Sequence, residues 1–195
     1  MPATGSFRAF IAISLPDSIV LFLQKLQSDI RTKFPDITGS WTKTDSMHLT
    51  LSFLGNIHME QVANIKAAMN IAASQAPSCK LFASGCGVFP SVKKAGVLWS
   101  GLKGDTMEIS NLHSNLTTIL ERRGFPRERR SFRPHLTMCR LKKEHDPLML
   151  AQLIKSFQNE KSLSFRCKTI DLFRSDLKPS GAVHTLVYSA PLSGR

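Results

Sequence analysis

The chain writes one tetrapeptide twice, as His48-Leu49-Thr50-Leu51 and, 87 positions later, as His135-Leu136-Thr137-Met138. In an extended strand successive side chains point to opposite faces, so His48 and Thr50 share one face and Leu49 and Leu51 the other; His135 and Thr137 repeat the arrangement. Histidine's ordinary pKa of ~6.5 lets one imidazole be neutral while another is protonated near neutral pH. Two histidines flanking one substrate can therefore act as base and acid in a single displacement. A phosphodiester needs both, since a proton leaves the attacking oxygen and another reaches the departing one. The threonine hydroxyls can donate to the non-bridging oxygens, and Arg140, five positions beyond His135, adds positive charge. Two histidines could also ligate zinc, but no carboxylate or cysteine accompanies either tetrapeptide at ligand spacing, so neither a metal nor another cofactor is expected.

Charge points the same way. With 26 Lys and Arg against 14 Asp and Glu the net charge is +12 over 195 residues, which favours an anionic partner such as nucleic acid. From Glu121 to Lys143 there are nine basic residues (Arg122, Arg123, Arg127, Arg129, Arg130, Arg133, Arg140, Lys142, Lys143) against Glu121 and Glu128, a local +7 around the second tetrapeptide. This reads as a phosphate-attracting wall beside His135; the plainer alternative is a solvated basic loop. Cys79, Cys86, Cys139 and Cys167 show neither a C-x-x-C pair nor zinc spacing and read as reduced core residues. No uncharged apolar run approaches the ~20 residues of a membrane span, and Met1 to Arg8 lack a secretory apolar stretch. A cytoplasmic monomer with no membrane partner is the expectation.

The elements that must position the tetrapeptides follow from periodicity. Phe7 to Ile13 reads as a central strand, and Pro16 opens a helix with Ile19, Phe22, Leu23, Leu26 and Ile30 on one face. Trp41 leads into a strand from Met47 to Leu54, ended by Gly55-Asn56. A helix over 58–74 stops at Pro77, and strands Lys80 to Phe89 and Gly96 to Leu102 follow. A third helix carries Ile109, Leu112, Leu116 and Leu120. The second tetrapeptide lies in a strand from Phe132 to Leu141. Asp146-Pro147 caps a fourth helix, and strands Ser164 to Phe173 and Val183 to Tyr188 finish the chain. Helix, His strand, helix, strand and strand thus occur twice, over approximately 16–102 and 105–190 of a single domain spanning 1–195. The expected fold is α+β: two pseudo-symmetric lobes, each an antiparallel-rich sheet with helices outside, and an active-site groove between them.

Arg8-Ala9-Phe10-Ile11-Ala12-Ile13, Trp41 before His48-Leu49-Thr50-Leu51-Ser52-Phe53-Leu54-Gly55, Phe132-Arg133-Pro134-His135-Leu136-Thr137-Met138-Cys139-Arg140, and Leu172-Phe173-Arg174-Ser175-Asp176-Leu177 before Pro179 and Gly181 together resemble the two-histidine (2H) phosphoesterases, defined by paired His-x-[Ser/Thr]-x motifs. Within them the chain is most similar to the LigT/ThpR-type RNA 2',3'-cyclic phosphodiesterases, the 2'-5' RNA ligase family. The resemblance implies metal-independent hydrolysis of a terminal 2',3'-cyclic phosphate to a 2'-phosphate, with 2'-5' ligation as the reverse direction. It implies His48 and His135 as catalytic pair, His135 activating the nucleophile and His48 protonating the leaving group. Thr50, Thr137 and Arg140 would hold the phosphate, and Phe53 would stack on a base. Strict alternation, however, buries Phe53 unless the strand bends. Where the family usually has a tyrosine after Gly181, this chain reads Val183-His184-Thr185. The partner expected is RNA with 2',3'-cyclic phosphate ends or a small nucleotide. The alternatives are a phosphodiesterase for 2'-5' oligoadenylates or small cyclic nucleotides, and a non-catalytic RNA-binding module.

Overall fold

In the computed structural model, which describes residues 5–128, 130–142, 144–179 and 181–193, the apolar N-terminal run is strand β1 (Ser6–Ser14). Pro16 holds the extended backbone of a helix cap, and α1 (Asp17–Lys33) turns Ile19, Leu23, Leu26 and Ile30 inward. There follow β2 (Gly39–Trp41), β3 (His48–His58), α2 (Gln61–Ser74), β4 (Cys79–Phe89), β5 (Val97–Gly104), α3 (Thr106–Glu121), β6 (His135–Leu141), α4 (Pro147–Ser156), β7 (Phe165–Cys167), β8 (Thr169–Lys178) and β9 (Gly181–Pro191). The Asp146 carboxylate caps α4 by accepting the Leu148 N–H at 3.0 Å, with Pro147 in the first turn, as its sequence implies.

The strands form two antiparallel sheets, ordered β3-β1-β8-β9 and β2-β6-β5-β4-β7. Each sheet draws on both halves of the chain. β8 and β9 complete the sheet of His48, while β4 and β5 complete that of His135. The two His strands β3 and β6 lie against each other where the sheets meet, and α2 covers β3, β8 and β9 from outside. Leu49, Leu51, Leu136 and Met138 are at most 3% exposed. Each buried side chain of this kind stabilises by roughly 1.5–3 kcal/mol. A one-residue slip would bring the histidines inward in their place, so these four fix the register.

Three of the departures from the sequence expectation concern how the strands are built into the sheets. β3 does not end at Gly55-Asn56 but runs through it, because Gly55 adopts φ +70°, a conformation open to glycine, at an irregularity in the pairing with β1. The strand expected over 164–173 is two strands: β7 pairs with β4 in one sheet and β8 with β1 in the other, the chain crossing between them at Lys168. β6 begins at His135 rather than Phe132. Among the described residues no helix is long and apolar enough to cross a membrane.

Candidate active site

Each His strand carries a bulge at the fourth residue of its tetrapeptide. In β3, Thr50 pairs with Ala12 and Ser52 with Ile11, leaving Leu51 extra; in β6, Thr137 pairs with Trp99 and Cys139 with Leu98, leaving Met138 extra. An extra residue reverses the alternation beyond it. Phe53, paired with Phe10, therefore returns to the face of His48 and Thr50, and Arg140, paired with Val97, to the face of His135 and Thr137. Strict alternation places both on the wrong side. Phe53 is 55% exposed, its ring 6.2 Å from that of Phe10, so it is not a core residue.

Both imidazoles bond to the backbone two residues upstream. His135 Nδ1 lies 2.7 Å from the Arg133 carbonyl, and His48 bonds to the Ser46 backbone. A carbonyl only accepts, so His135 Nδ1 carries the proton and its Nε2 is left to exchange one with a substrate. Aromatic rings fix the planes. His48 stacks on Phe10 at 4.7 Å, and His135 meets Phe89 edge-on at 4.9 Å with Trp99 at 6.5 Å. Trp99 in turn lies against Gly87, where any Cβ would overlap the indole.

The electrostatics of the two sides differ. Burial, reinforced by the nearby His184, lowers the His48 pKa to about 4 against the weaker opposing pull of the Ser46 bond, so His48 is neutral at physiological pH in the unliganded protein. Of the expected basic wall, Arg122, Arg123, Arg127, Arg130, Arg133, Arg140 and Lys142 are at least partly exposed; Arg129 and Lys143 lie outside the described residues. The wall is pinned to α3 by His113, which stacks on Phe132 with ring centroids 3.9 Å apart. From His48 a cleft of about 840 Å³ runs past Phe173, Asp45 and Trp41 to Arg31.

A pH dependence of stability follows from His48. Its folded pKa lies below the ~6.5 of an unfolded histidine, so the unfolded chain binds more protons between these values and stability rises with pH across that window. The contribution of about 3 kcal/mol is fully present above pH ~6.5 and is lost as pH falls through about 4. His113 and His184, both lowered chiefly by burial, act in the same sense. Denaturant unfolding at pH 4.5 and 7.5 is expected to show the loss, and His48→Gln to reduce it.

The site also rests on residues that the sequence pattern does not single out. Gln27, 9% exposed on the inner face of α1, donates to the carbonyls of Thr42 and Met138 at 3.0 and 2.8 Å, bolting the approach to β3 onto β6. Its only signal is a polar side chain beside an apolar stripe. Asp171, 3% exposed, accepts hydroxyls from Ser14 and Ser189, both at 2.6 Å, and ties β1, β8 and β9 together next to the Ser14–His48 pair. Among the described residues no three His, Cys, Asp or Glu side chains converge as a metal site.

Comparison with known proteins bears on the family and the fold. The chain is 29% identical to the RNA 2',3'-cyclic phosphodiesterase of Aquifex aeolicus over 96% of its length and 98% of that protein's. It is 28% identical to the one of Methanothermobacter thermautotrophicus, over 91% and 95%. Its fold matches a crystal structure from Thermus thermophilus with a TM-score of 0.77 at 23% identity, covering 96% and 98% of the two chains. It also matches apo Escherichia coli LigT with a TM-score of 0.73 at 22% identity, covering 97% and 99%. The LigT-like phosphoesterase family model matches residues 13–99 and 103–184, one His-x-Thr tetrapeptide in each segment, and the chain belongs to that family.

Proposed function

We propose that the protein hydrolyses the 2',3'-cyclic phosphate at the end of an RNA strand to a 2'-phosphate, with His48 and His135 as the acid/base pair. The observation that carries this reading is the matched placement of two imidazoles, each bonded to the backbone two residues upstream, with Thr50 and Phe53 on the face of one and Thr137 and Arg140 on the face of the other. Relatives bearing the name RNA 2',3'-cyclic phosphodiesterase along nearly the whole chain support the substrate class. In the reaction, water attacks phosphorus as His135 takes its proton; the P–O3' bond breaks and His48 gives its proton to O3'. The threonine hydroxyls and Arg140 stabilise the charge on the non-bridging oxygens.

A neutral His48 must first gain the proton it donates. The bound phosphodiester supplies the reason, because a negative charge beside the ring favours the protonated form. The profile of kcat/KM, which reports the free enzyme, is expected to fall as pH rises above about 4, where His48 loses the proton it must donate, and that of kcat to keep this falling limb to higher pH. Product analysis by phosphorus NMR tests the regiochemistry: a 2'-phosphomonoester supports the reading, and a 3'-phosphomonoester contradicts it.

The basic wall gives the substrate its length dependence. Each phosphate neutralised beyond the reacting one releases counterion, so log kcat/KM for an oligonucleotide is expected to fall with log salt by ~0.7 per contact. A nucleoside 2',3'-cyclic monophosphate, with no further phosphates, is expected to show little slope. Equal slopes for both substrates would assign the wall to solubility alone.

A further inference from the structure

His184 lies outside both tetrapeptides, yet it is in contact with the centre of the site. Its ring stands 5.5 Å from that of His48 at an interplanar angle of 82°, and 4.9 Å from that of Phe10 at 79°. Phe10 is the ring on which His48 stacks, so the three form one packed unit with His184 as its third side. His184 arrives from β9, whose first residues dock on the approach to β3: Ser46 Oγ donates to the Ala182 carbonyl at 3.5 Å, and Ser46 is also the residue whose backbone bonds to His48. His184 Nδ1 is buried and, among the described residues, has no hydrogen-bond partner. A buried ring nitrogen left without one is unfavourable. Packing alone would be served by a ring without nitrogen.

We infer that His184 is a positioning residue for His48, a third histidine that holds the catalytic imidazole against Phe10 and, when charged, drives the proton off it. This rests on the acid/base role given to His48 above. Two cations 5.5 Å apart repel, so the pair resists holding two protons. Burial lowers the His184 pKa, and Asp45, on the turn preceding β3, opposes this by favouring the charged form. A charged His184 disfavours a proton on His48, so on acidification the first proton belongs to His184 and the second to His48. The proton that His48 gains on binding a phosphodiester is made more labile by the same neighbour, which suits a group that must hand it to O3'.

Other charged groups lie around β9 among the described residues. Lys43 lines the same cleft as Asp45. On β8, Arg174 and Asp176 engage each other at 2.9 Å, and on α2 Lys66 sits over Tyr188 at 5.1 Å. Arg8 on β1 is one strand further away, paired with Ser175, which in turn pairs with His184.

The test is a histidine NMR titration of the unliganded full chain, alongside pH profiles of kcat/KM, for the wild type, His184→Gln and His184→Phe. His48 is expected to titrate about 1 pH unit higher in His184→Gln, as Coulomb repulsion at this separation implies. The limb of kcat/KM that falls with rising pH, set by His48, should move up with it. His184→Phe keeps a ring against Phe10 without the charge and is expected to shift His48 in the same direction. Asp45→Asn should lower the midpoint of His184 itself. An unchanged His48 midpoint in both His184 variants, or a wild type in which His48 takes its proton before His184, would overturn the inference. The titration is read without substrate, so a wild type with no turnover would count against the proposed reaction and leave this coupling measurable.

Discussion

Alanine at either His48 or His135 is expected to lower kcat on a 2',3'-cyclic phosphodiester by about 10²–10⁴-fold, the range for removal of a general acid or base. The two losses should not multiply, because each histidine serves the same displacement and a residual rate remains from phosphate positioning. The variants differ in what else they disturb. His135 sits at the start of β6, half-buried, with its Nδ1 proton on the Arg133 carbonyl, so His135→Ala is expected to leave thermal unfolding nearly unchanged. His48 is packed between Phe10 and His184, and His48→Ala removes part of that unit. Affinity for a 2'-phosphate product, measured by titration, should survive in both. Near-normal turnover by either variant would remove that histidine from the chemistry.

Phe10→Ala is expected to be the most damaging single change outside the tetrapeptides. Phe10 is 4% exposed and touches His48, Phe53, Phe173 and His184, with centroids between 4.7 and 6.2 Å. Emptying such a site costs about 3–5 kcal/mol. For a chain of this size that is a fall in melting temperature of roughly 10 °C. The same change admits water to His48. Burial is the leading cause of its lowered pKa, so the midpoint should rise from about 4 toward the ordinary histidine value. Thermal unfolding and the histidine titration check the two effects separately. Full stability with His48 still titrating near 4 would mean that Phe10 neither fills nor seals the site.

The sequence carries the site further than the fold. Alternation within His48-Leu49-Thr50-Leu51 predicts which residues face inward, and Leu49 and Leu51 are buried as it requires. It fails at Phe53, because a bulge at Leu51 is a property of the pairing with β1 and leaves no local pattern beyond the strand's own residues. Arg140, five positions from its histidine as Phe53 is from His48, returns to the catalytic face by the same device. Likewise the run 164–173 reads as one strand, since only the hydrogen-bond partners, β4 for one part and β1 for the other, divide it at Lys168. The exchange of strands between the sheets is equally non-local. His184 is legible as a departure from the usual tyrosine. Its contact with His48 depends on how β9 docks on the approach to β3.

In the proposed reaction two histidines alone move the protons of a phosphodiester displacement. The decisive measurement is turnover of an RNA oligonucleotide ending in a 2',3'-cyclic phosphate by metal-stripped wild-type protein in excess EDTA, beside an untreated sample. Equal rates and a 2'-phosphate product are expected in both. No conversion in either sample, or conversion lost with EDTA and restored by a divalent cation, would contradict the two-histidine mechanism.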